Sequence, residues 1–166
     1  SHSEIGFTVR HAGISKVRGQ FTDAAATLDL AENVTDSKVN ASIKTASFDS
    51  GDANRDGHVR GEDFFDVEKF PEISFVSNTI VPKGDAYELQ GDLTIKGITR
   101  PVALETEFNG VAVDPFGNTR AGLTAETTIS RKDFGLTWNA VLEAGGVLVS
   151  DKVAINLELA FIAPAA

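Results

Sequence analysis

Residues 52–63 have the spacing of oxygen donors that is found in calcium-binding loops. Acidic or amide side chains stand at positions 1, 3 and 5 of the segment, a glycine at position 6 and a carboxylate at position 12. Such spacing curls oxygen ligands around a hard cation. However, Asp63 at position 12 is shorter than the usual glutamate, and Arg55, His58 and Arg60 bring positive charge close to the ion. The pattern therefore favours a structural loop over a calcium site.

Histidine chemistry is limited to His2, His11 and His58. No two of them have the short spacing of a zinc motif, so a zinc site is not indicated. His11 shares a face with Phe7 and Val9 in an alternating segment, where a hydrogen-bonded core histidine is more common than a metal ligand. His58 lies in a charged segment and is the better candidate for a polar contact at the mouth of a pocket.

The composition excludes several classes of function. The chain has no cysteine, no Gly-x-Ser-x-Gly motif and no glycine-rich phosphate loop, which leaves little support for nucleophilic catalysis or nucleotide binding. A net charge of −9 disfavours nucleic acid and anionic membrane surfaces as partners. No run of about 20 apolar residues is present, so no transmembrane segment is predicted.

Alternating hydrophobic residues predict β-strands along most of the chain. The clearest run is residues 153–161, in which every second residue is apolar, and residues 5–9 and 102–108 follow the same period of two. This period is typical of a sheet with one buried face. Turn-forming segments separate the runs, for example residues 114–118. About eight or nine strands in one domain, residues 1–166, favour an antiparallel barrel or sandwich.

Residues 54–75 break the alternation with a mixture of aromatic and charged side chains. A short helical segment is predicted near residues 61–68, because Glu62 to Val67 show no period of two. Pro71 limits its continuation, since the residues before a proline disfavour helix. An aromatic and charged insertion between strands suggests a plug that seals or lines one end of a barrel.

Five ordered blocks of sequence resemble the YceI-like family, the lipocalin-like polyisoprenoid-binding proteins of bacteria. The blocks are residues 2–11, 17–21, 54–75, 91–102 and 131–135. The most distinctive is the segment from Asn54 to Phe75. Because the blocks occur in order along nearly the whole chain, the resemblance is far more specific than any single motif.

This resemblance implies an all-β fold, an extended eight-stranded antiparallel lipocalin-like barrel around a lipophilic tunnel. The implied function is binding, storage or transport of a long-chain isoprenoid, either a polyprenol or an isoprenoid quinone, without catalysis and with no cofactor beyond the bound lipid. It also makes a homodimer reasonable. The chain begins at Ser1 without Met and shows no secretory signal, so both a cytoplasmic and an exported protein stay open.

Strand phase combined with the resemblance predicts the site residues. Inward-facing residues expected to line the tunnel are Phe7, Val9, Val39, Ile43, Phe75, Leu93, Leu104, Phe108, Leu123, Ile129, Ile155, Leu157 and Phe161. Trp138 and the pair Phe64 and Phe65 are expected to close its ends. A polar head group is expected to contact His11, Arg55, Asp56 and His58. A shift of one residue in any strand would invert that strand's contribution.

Two other interpretations stay open at this point. One is an enzyme that acts on a lipid-like substrate with polar groups near His58. The other is a solid β-barrel that works through protein contacts, because the aromatic residues could equally fill a packed core.

Overall fold

The computed structural model describes residues 4–12, 15–139 and 149–163, which form ten strands and one α-helix. In chain order these are β1 (Glu4–His11), β2 (Ser15–Phe21), β3 (Ala24–Asp29), β4 (Lys38–Lys44), β5 (Phe48–Asp49), α1 (Ala53–Arg60), β6 (Glu72–Lys83), β7 (Ala86–Ile95), β8 (Ile98–Val113), β9 (Thr119–Ser130) and β10 (Val149–Ala163). Short 3-10 turns cover Val34–Asp36, Thr45–Ser47 and Arg131–Phe134.

All the strands belong to one curled antiparallel sheet in the order β3-β4-β6-β7-β8-β9-β10-β1-β2-β5. The strands β2 and β3 stand near opposite ends of this order, yet only Thr22 and Asp23 separate them in the chain. They therefore act as one bent strand, which pairs with β1 along its first half and with β4 along its second. The sheet curls on itself through this strand, which removes most of the free edge that an open sheet would expose.

The predicted all-β antiparallel fold is confirmed, with ten strands where eight were expected. The difference has two physical sources. The bend at Thr22 and Asp23 interrupts the ladder and divides one long strand into β2 and β3. The two-residue strand β5 pairs only with Gln20 and Phe21 at the end of β2.

The helix prediction near residues 61–68 is wrong in position. Those residues form consecutive turns, and the helix α1 lies immediately before them. Its first turn is capped by Asp52, whose side chain accepts hydrogen bonds from the backbone N–H groups of Asn54 and Arg55. The sequence does not indicate this helix, because it contains Gly57 and glycine is a poor helix former.

The same helix replaces the loop that the calcium pattern would need. Asp52 is engaged as its N-cap, and Asp56 is 5% exposed and accepts hydrogen bonds from the backbone N–H and the hydroxyl of Ser50. The carboxylates at positions 1 and 5 of the pattern thus accept hydrogen bonds from the protein's own donors. Within the described ranges, no three His, Cys, Asp or Glu side chains are grouped as metal ligands.

The core consists of two clusters of buried residues that meet inside the sheet. The first cluster comprises Ile5, Val39, Ile80, Leu89, Leu104, Leu123, Ala125 and Leu159. The second cluster comprises Ile73, Leu93, Ile95, Ile129, Phe134 and Leu136. Phe75 packs against both, so it marks their junction.

The Arg131 side chain joins two segments of the chain through hydrogen bonds to their backbone carbonyls. This side chain is 3% exposed and donates to the carbonyls of Ser150 at 2.9 Å, Trp138 at 2.9 Å, Val149 at 3.1 Å and also Leu136. Burial lowers the pKa of the Arg131 guanidinium from its usual value. The buried guanidinium therefore has hydrogen bonds to protein carbonyls in place of hydrogen bonds to water. These bonds also fix Trp138 relative to the start of β10.

We expect the substitution Arg131→Met to lower the free energy of unfolding by about 3 kcal/mol, because it removes the guanidinium that four carbonyls share. The Val149 carbonyl keeps its second donor, Nδ2 of Asn139, at 2.7 Å. The matched control is Lys132→Met, which changes the exposed neighbour and leaves its backbone N–H intact. Chemical denaturation followed by circular dichroism measures both. A loss below about 1 kcal/mol for Arg131→Met would show that water can substitute for the guanidinium.

A second prediction concerns acid stability at the start of β10. The Ser130 hydroxyl, which donates to Asp151 at 2.6 Å, holds the pKa of that carboxyl below its usual value, and the Lys132 backbone N–H acts in the same direction. A carboxyl whose pKa is lower in the folded state stabilises the fold above its unfolded-state pKa. That stabilisation disappears as the pH falls through the folded-state pKa.

The substitution Asp151→Asn should therefore reduce the free energy of unfolding at neutral pH and reduce it less as the pH falls. Denaturant titrations across the acid range measure this difference, with Asp133→Asn on the neighbouring turn as the control. A difference between wild type and Asp151→Asn that stays constant with pH would contradict the assignment.

Candidate functional site

A cavity of about 640 Å³ occupies the interior of the curled sheet. Its wall is formed by the inner faces of the strands, and α1 with the turns that follow it covers one end. The volume falls within the roughly 300–1,000 Å³ that is typical of small-molecule sites. The end that is lined by α1, Phe64 and Trp138 is called the α1 end below.

Most of the predicted site residues line this cavity. They are Phe7, Val9, Val39, Ile43, Arg55, His58, Phe64, Phe65, Phe75, Leu93, Leu104, Leu123, Ile129, Trp138, Ile155 and Leu157. The strand register explains why they converge: Phe7 pairs with Ile155, and Leu104 pairs with Leu89, so paired residues present their side chains to the same face.

Three predicted residues stand apart from the lining, and the side chain of a fourth is outside the described part of the chain. Phe108 and Phe161 pack against the first core cluster beyond the cavity, and the ring of Phe108 lies 5.3 Å from that of Tyr87. Asp56 was expected to meet a head group, but its buried carboxylate braces the loop before α1. His11 ends β1, and the prediction for its side chain falls outside what the structure describes.

Several lining residues were not among the predicted ones. Leu89 and Leu159 belong to alternating segments, so strand phase could have identified them. Phe48 lies in a strand of two residues and Val59 lies on α1, where no period of two exists. For those two, only the path of the chain through residues 45–65 brings the side chain to the cavity.

Four phenylalanines form a continuous aromatic wall beside α1. Phe7 and Phe48 stack with ring centroids 5.0 Å apart and planes 20° apart. Phe21 lies 5.7 Å from Phe48 and 5.8 Å from Phe65, and Phe48 lies 5.9 Å from Phe65. These contacts attach the turns after α1 to β1, β2 and β5. Edge and tilted contacts of this kind stabilise beyond the area that they bury.

A second aromatic group, His58, Phe64 and Trp138, lies at the α1 end of the cavity. The His58 ring lies 4.7 Å from Trp138 and 5.2 Å from Phe64, edge-on to both, and Phe64 lies 5.4 Å from Trp138. His58 Nε2 is 2.8 Å from Asp63 Oδ2, and both side chains are well exposed. The group lines the apolar cavity while the His58 side chain reaches solvent, so it forms a partly polar rim at this end.

Other polar lining residues are also found at the α1 end. Arg55 lines the cavity and is held by Ser50, since Nε donates to the hydroxyl at 2.8 Å and a terminal nitrogen donates to the carbonyl at 3.1 Å. Asp52 and Asn54 line the cavity from the first turn of the helix. The site can therefore hold an amphiphile, with its apolar chain in the cavity and its polar end near α1.

No helix in the described part of the chain has the length and apolar character needed to cross a membrane.

Comparison with known proteins agrees with this architecture. The family described as the YceI-like domain matches residues 1–161. Protein YceI of Salmonella arizonae is 40% identical over 137 residues, which are 82% of this chain and 72% of that protein.

Two solved structures share the fold. BcnA of Burkholderia cenocepacia superposes with a TM-score of 0.84 at 24% identity, covering 96% of each chain. A polyisoprenoid binding domain from Saccharophagus degradans, implicated in plant cell wall breakdown, superposes with a TM-score of 0.69 at 13% identity, covering 98% of this chain and 94% of that one. Given the match over residues 1–161, this chain belongs to the YceI-like family.

Proposed function

We propose that this protein binds a long-chain isoprenoid lipid, a polyprenol or an isoprenoid quinone, and stores or carries it without catalysis. The observation that carries the proposal is the apolar cavity of about 640 Å³ with polar side chains gathered at the α1 end. The Saccharophagus degradans protein that shares this fold is described as a polyisoprenoid binding domain, which supports an isoprenoid as the ligand class.

Burial of the prenyl chain supplies the free energy of binding in this proposal. Apolar surface removed from water contributes roughly 25 cal/mol per Å², so a long prenyl chain gains on the order of ten kcal/mol before the cost of ordering it. Side chains such as Leu104, Leu123 and Ile155 provide that surface. Binding of this strength needs no reacting group, which fits a carrier better than an enzyme.

The polar end of the ligand is proposed to lie beside His58 and Trp138. The His58 imidazole can exchange hydrogen bonds with a hydroxyl or carbonyl oxygen, and the faces of Trp138 and Phe64 suit a flat or unsaturated group. Asp63 orients the imidazole through its contact with Nε2. These contacts would fix the direction in which the lipid enters the cavity.

Trp138 is the single tryptophan, so its fluorescence should report ligand binding directly. We expect a saturable change when a long-chain polyprenol or an isoprenoid quinone is added. Trp138→Phe should lose this signal while native mass spectrometry still detects the complex. Lipid extracted from the purified protein should be chemically unchanged.

Failure to bind either lipid, together with the absence of co-purifying lipid, would overturn the proposal. Recovery of a chemically altered lipid would instead favour an enzyme that uses the rim around His58.

A pair of substitutions on β8 tests whether the cavity is the binding site. Leu104→Trp places an indole in the lipid space, because Leu104 lines the cavity and is 5% exposed. It should weaken lipid binding by about tenfold or more and change the free energy of unfolding by less than ~1.5 kcal/mol. Phe108→Trp, on the same strand but outside the lining, should leave the affinity unchanged.

Native mass spectrometry with a polyprenol series measures the affinities, and thermal denaturation measures the stabilities. A large loss of stability for Leu104→Trp with unchanged lipid binding would favour the alternative of a solid, packed barrel.

A further inference from the structure

Gly19 lies against the ring tip of Phe7, a phenylalanine that lines the cavity. It pairs with Phe7 across β2 and β1. A Cβ atom added to Gly19 would lie 2.2 Å from Cζ and 2.7 Å from Cε1 of Phe7. These separations are far below van der Waals contact, so the tip of the ring occupies the space that a side chain at position 19 would need.

Gly91 repeats this arrangement on another pair of strands. It pairs with Ser77 across β7 and β6, and Phe75 lies two residues before Ser77 on the same face. A Cβ atom on Gly91 would lie 2.5 Å from Cζ and 2.8 Å from Cε1 of Phe75. Diagonal neighbours on adjacent strands are within reach of an aromatic side chain, which allows the ring to lean across the ladder.

In both places the tip of the ring lies against the glycine, in the space beside the wall that a side chain would fill. Phe7 and Phe75 line the cavity, whereas Gly19 and Gly91 do not. A side chain at either glycine would force the ring off the wall, and the open side is the interior of the barrel. The missing side chains therefore keep two large rings out of the space that a ligand would use.

We infer that Gly19 and Gly91 set the width of the cavity and thereby allow a methyl-branched chain to pass Phe7 and Phe75. The inference rests on the proposed lipid-binding function and adds the residues that determine its selectivity. An isoprenoid carries a methyl branch on every repeat, so it needs a wider channel than a straight alkyl chain. In a close-packed interior, displacement of a ring by a methyl group is enough to matter.

Gly91 offers the sharper test, because Phe75 packs at the junction of the two core clusters. The probes are geranylgeraniol and hexadecan-1-ol, whose main chains have the same number of carbons; geranylgeraniol carries methyl branches and double bonds, and hexadecan-1-ol carries neither. Gly91→Ala should weaken geranylgeraniol binding by about tenfold and hexadecan-1-ol binding by less, as expected when a few apolar atoms lose their space.

A double substitution separates the ring from the backbone. The Cβ of Gly91→Ala would also lie 2.5 Å from the carbonyl oxygen of Val76, so a loss of stability is expected from the backbone alone. Gly91→Ala with Phe75→Leu keeps that contact and removes the ring, and it should restore geranylgeraniol binding. Equal losses for both alcohols, or no recovery in the double variant, would overturn the inference.

A measurement on the unliganded wild-type protein covers the case in which Gly91→Ala does not fold. The ring currents of Phe7 and Phe75 should displace the Hα resonances of Gly19 and Gly91 from their usual positions, with nuclear Overhauser contacts to the protons at the tips of the two rings. Phe75→Leu should abolish the shift at Gly91 and leave the shift at Gly19 unchanged. Ordinary Hα shifts at both glycines would overturn the inference.

The two proposals fail in different ways. The proposed function fails if the wild-type protein binds neither of the two alcohols and also binds no isoprenoid of greater length. The inference about width is then decided by the position of the Phe75 ring in a crystal structure of Gly91→Ala. A ring displaced into the cavity supports it, and a ring that stays on the wall refutes it.

Discussion

The antiparallel hydrogen-bond ladder that runs around the curled sheet determines most other features of this protein. Once β2 and β3 pair with β1 and β4 as one bent strand, every strand has a fixed inner face. Because side chains alternate across a strand, half of each apolar run must then point into the same enclosed space. A cylinder of about eight strands is just wide enough for its side chains either to fill it or to leave room for one ligand.

The two ends of this cylinder are closed to solvent by different parts of the chain. At one end, Tyr87, Phe108 and Phe161 pack against the first cluster, so the protein's own side chains fill the space. At the α1 end, a helix of eight residues and the turns after it cover the cavity with rings and charged groups. The first end resembles an ordinary core, whereas the second combines apolar rings with groups that need water or a polar partner.

An unfilled interior has a thermodynamic consequence. Side chains that line a cavity make fewer contacts than those of a packed core, so their burial stabilises the fold less than its area alone suggests. An apolar chain bound there, as proposed, would restore those contacts and stabilise the folded state through linkage. The hydrogen bonds of Arg131 to four carbonyls and the aromatic wall around Phe48 join the segments of chain that surround the cavity.

Local pattern was sufficient for the class of fold and for much of the cavity wall. The period of two in β1, β8 and β10 identifies which side of each strand is apolar, and so it places Phe7, Leu104 and Ile155 on the inner face. The ordered blocks of residues that resemble the YceI-like family were equally visible in the chain, and the match over residues 1–161 confirms them.

Tertiary structure decided which inner side chains reach the cavity and which pack beyond it. Phe108 and Phe161 share the phase of true lining residues, but their height along the barrel depends on strand register, which alternation does not encode. The cap of Asp52 on the helix at 53–60 and the contact of Asp56 with Ser50 are instead local, two and six residues apart, and the calcium-like spacing of donors obscured them. The role inferred for Gly19 and Gly91 depends on their contacts with the ring tips of Phe7 and Phe75. Local pattern does not reveal these contacts, because they join residues on different strands.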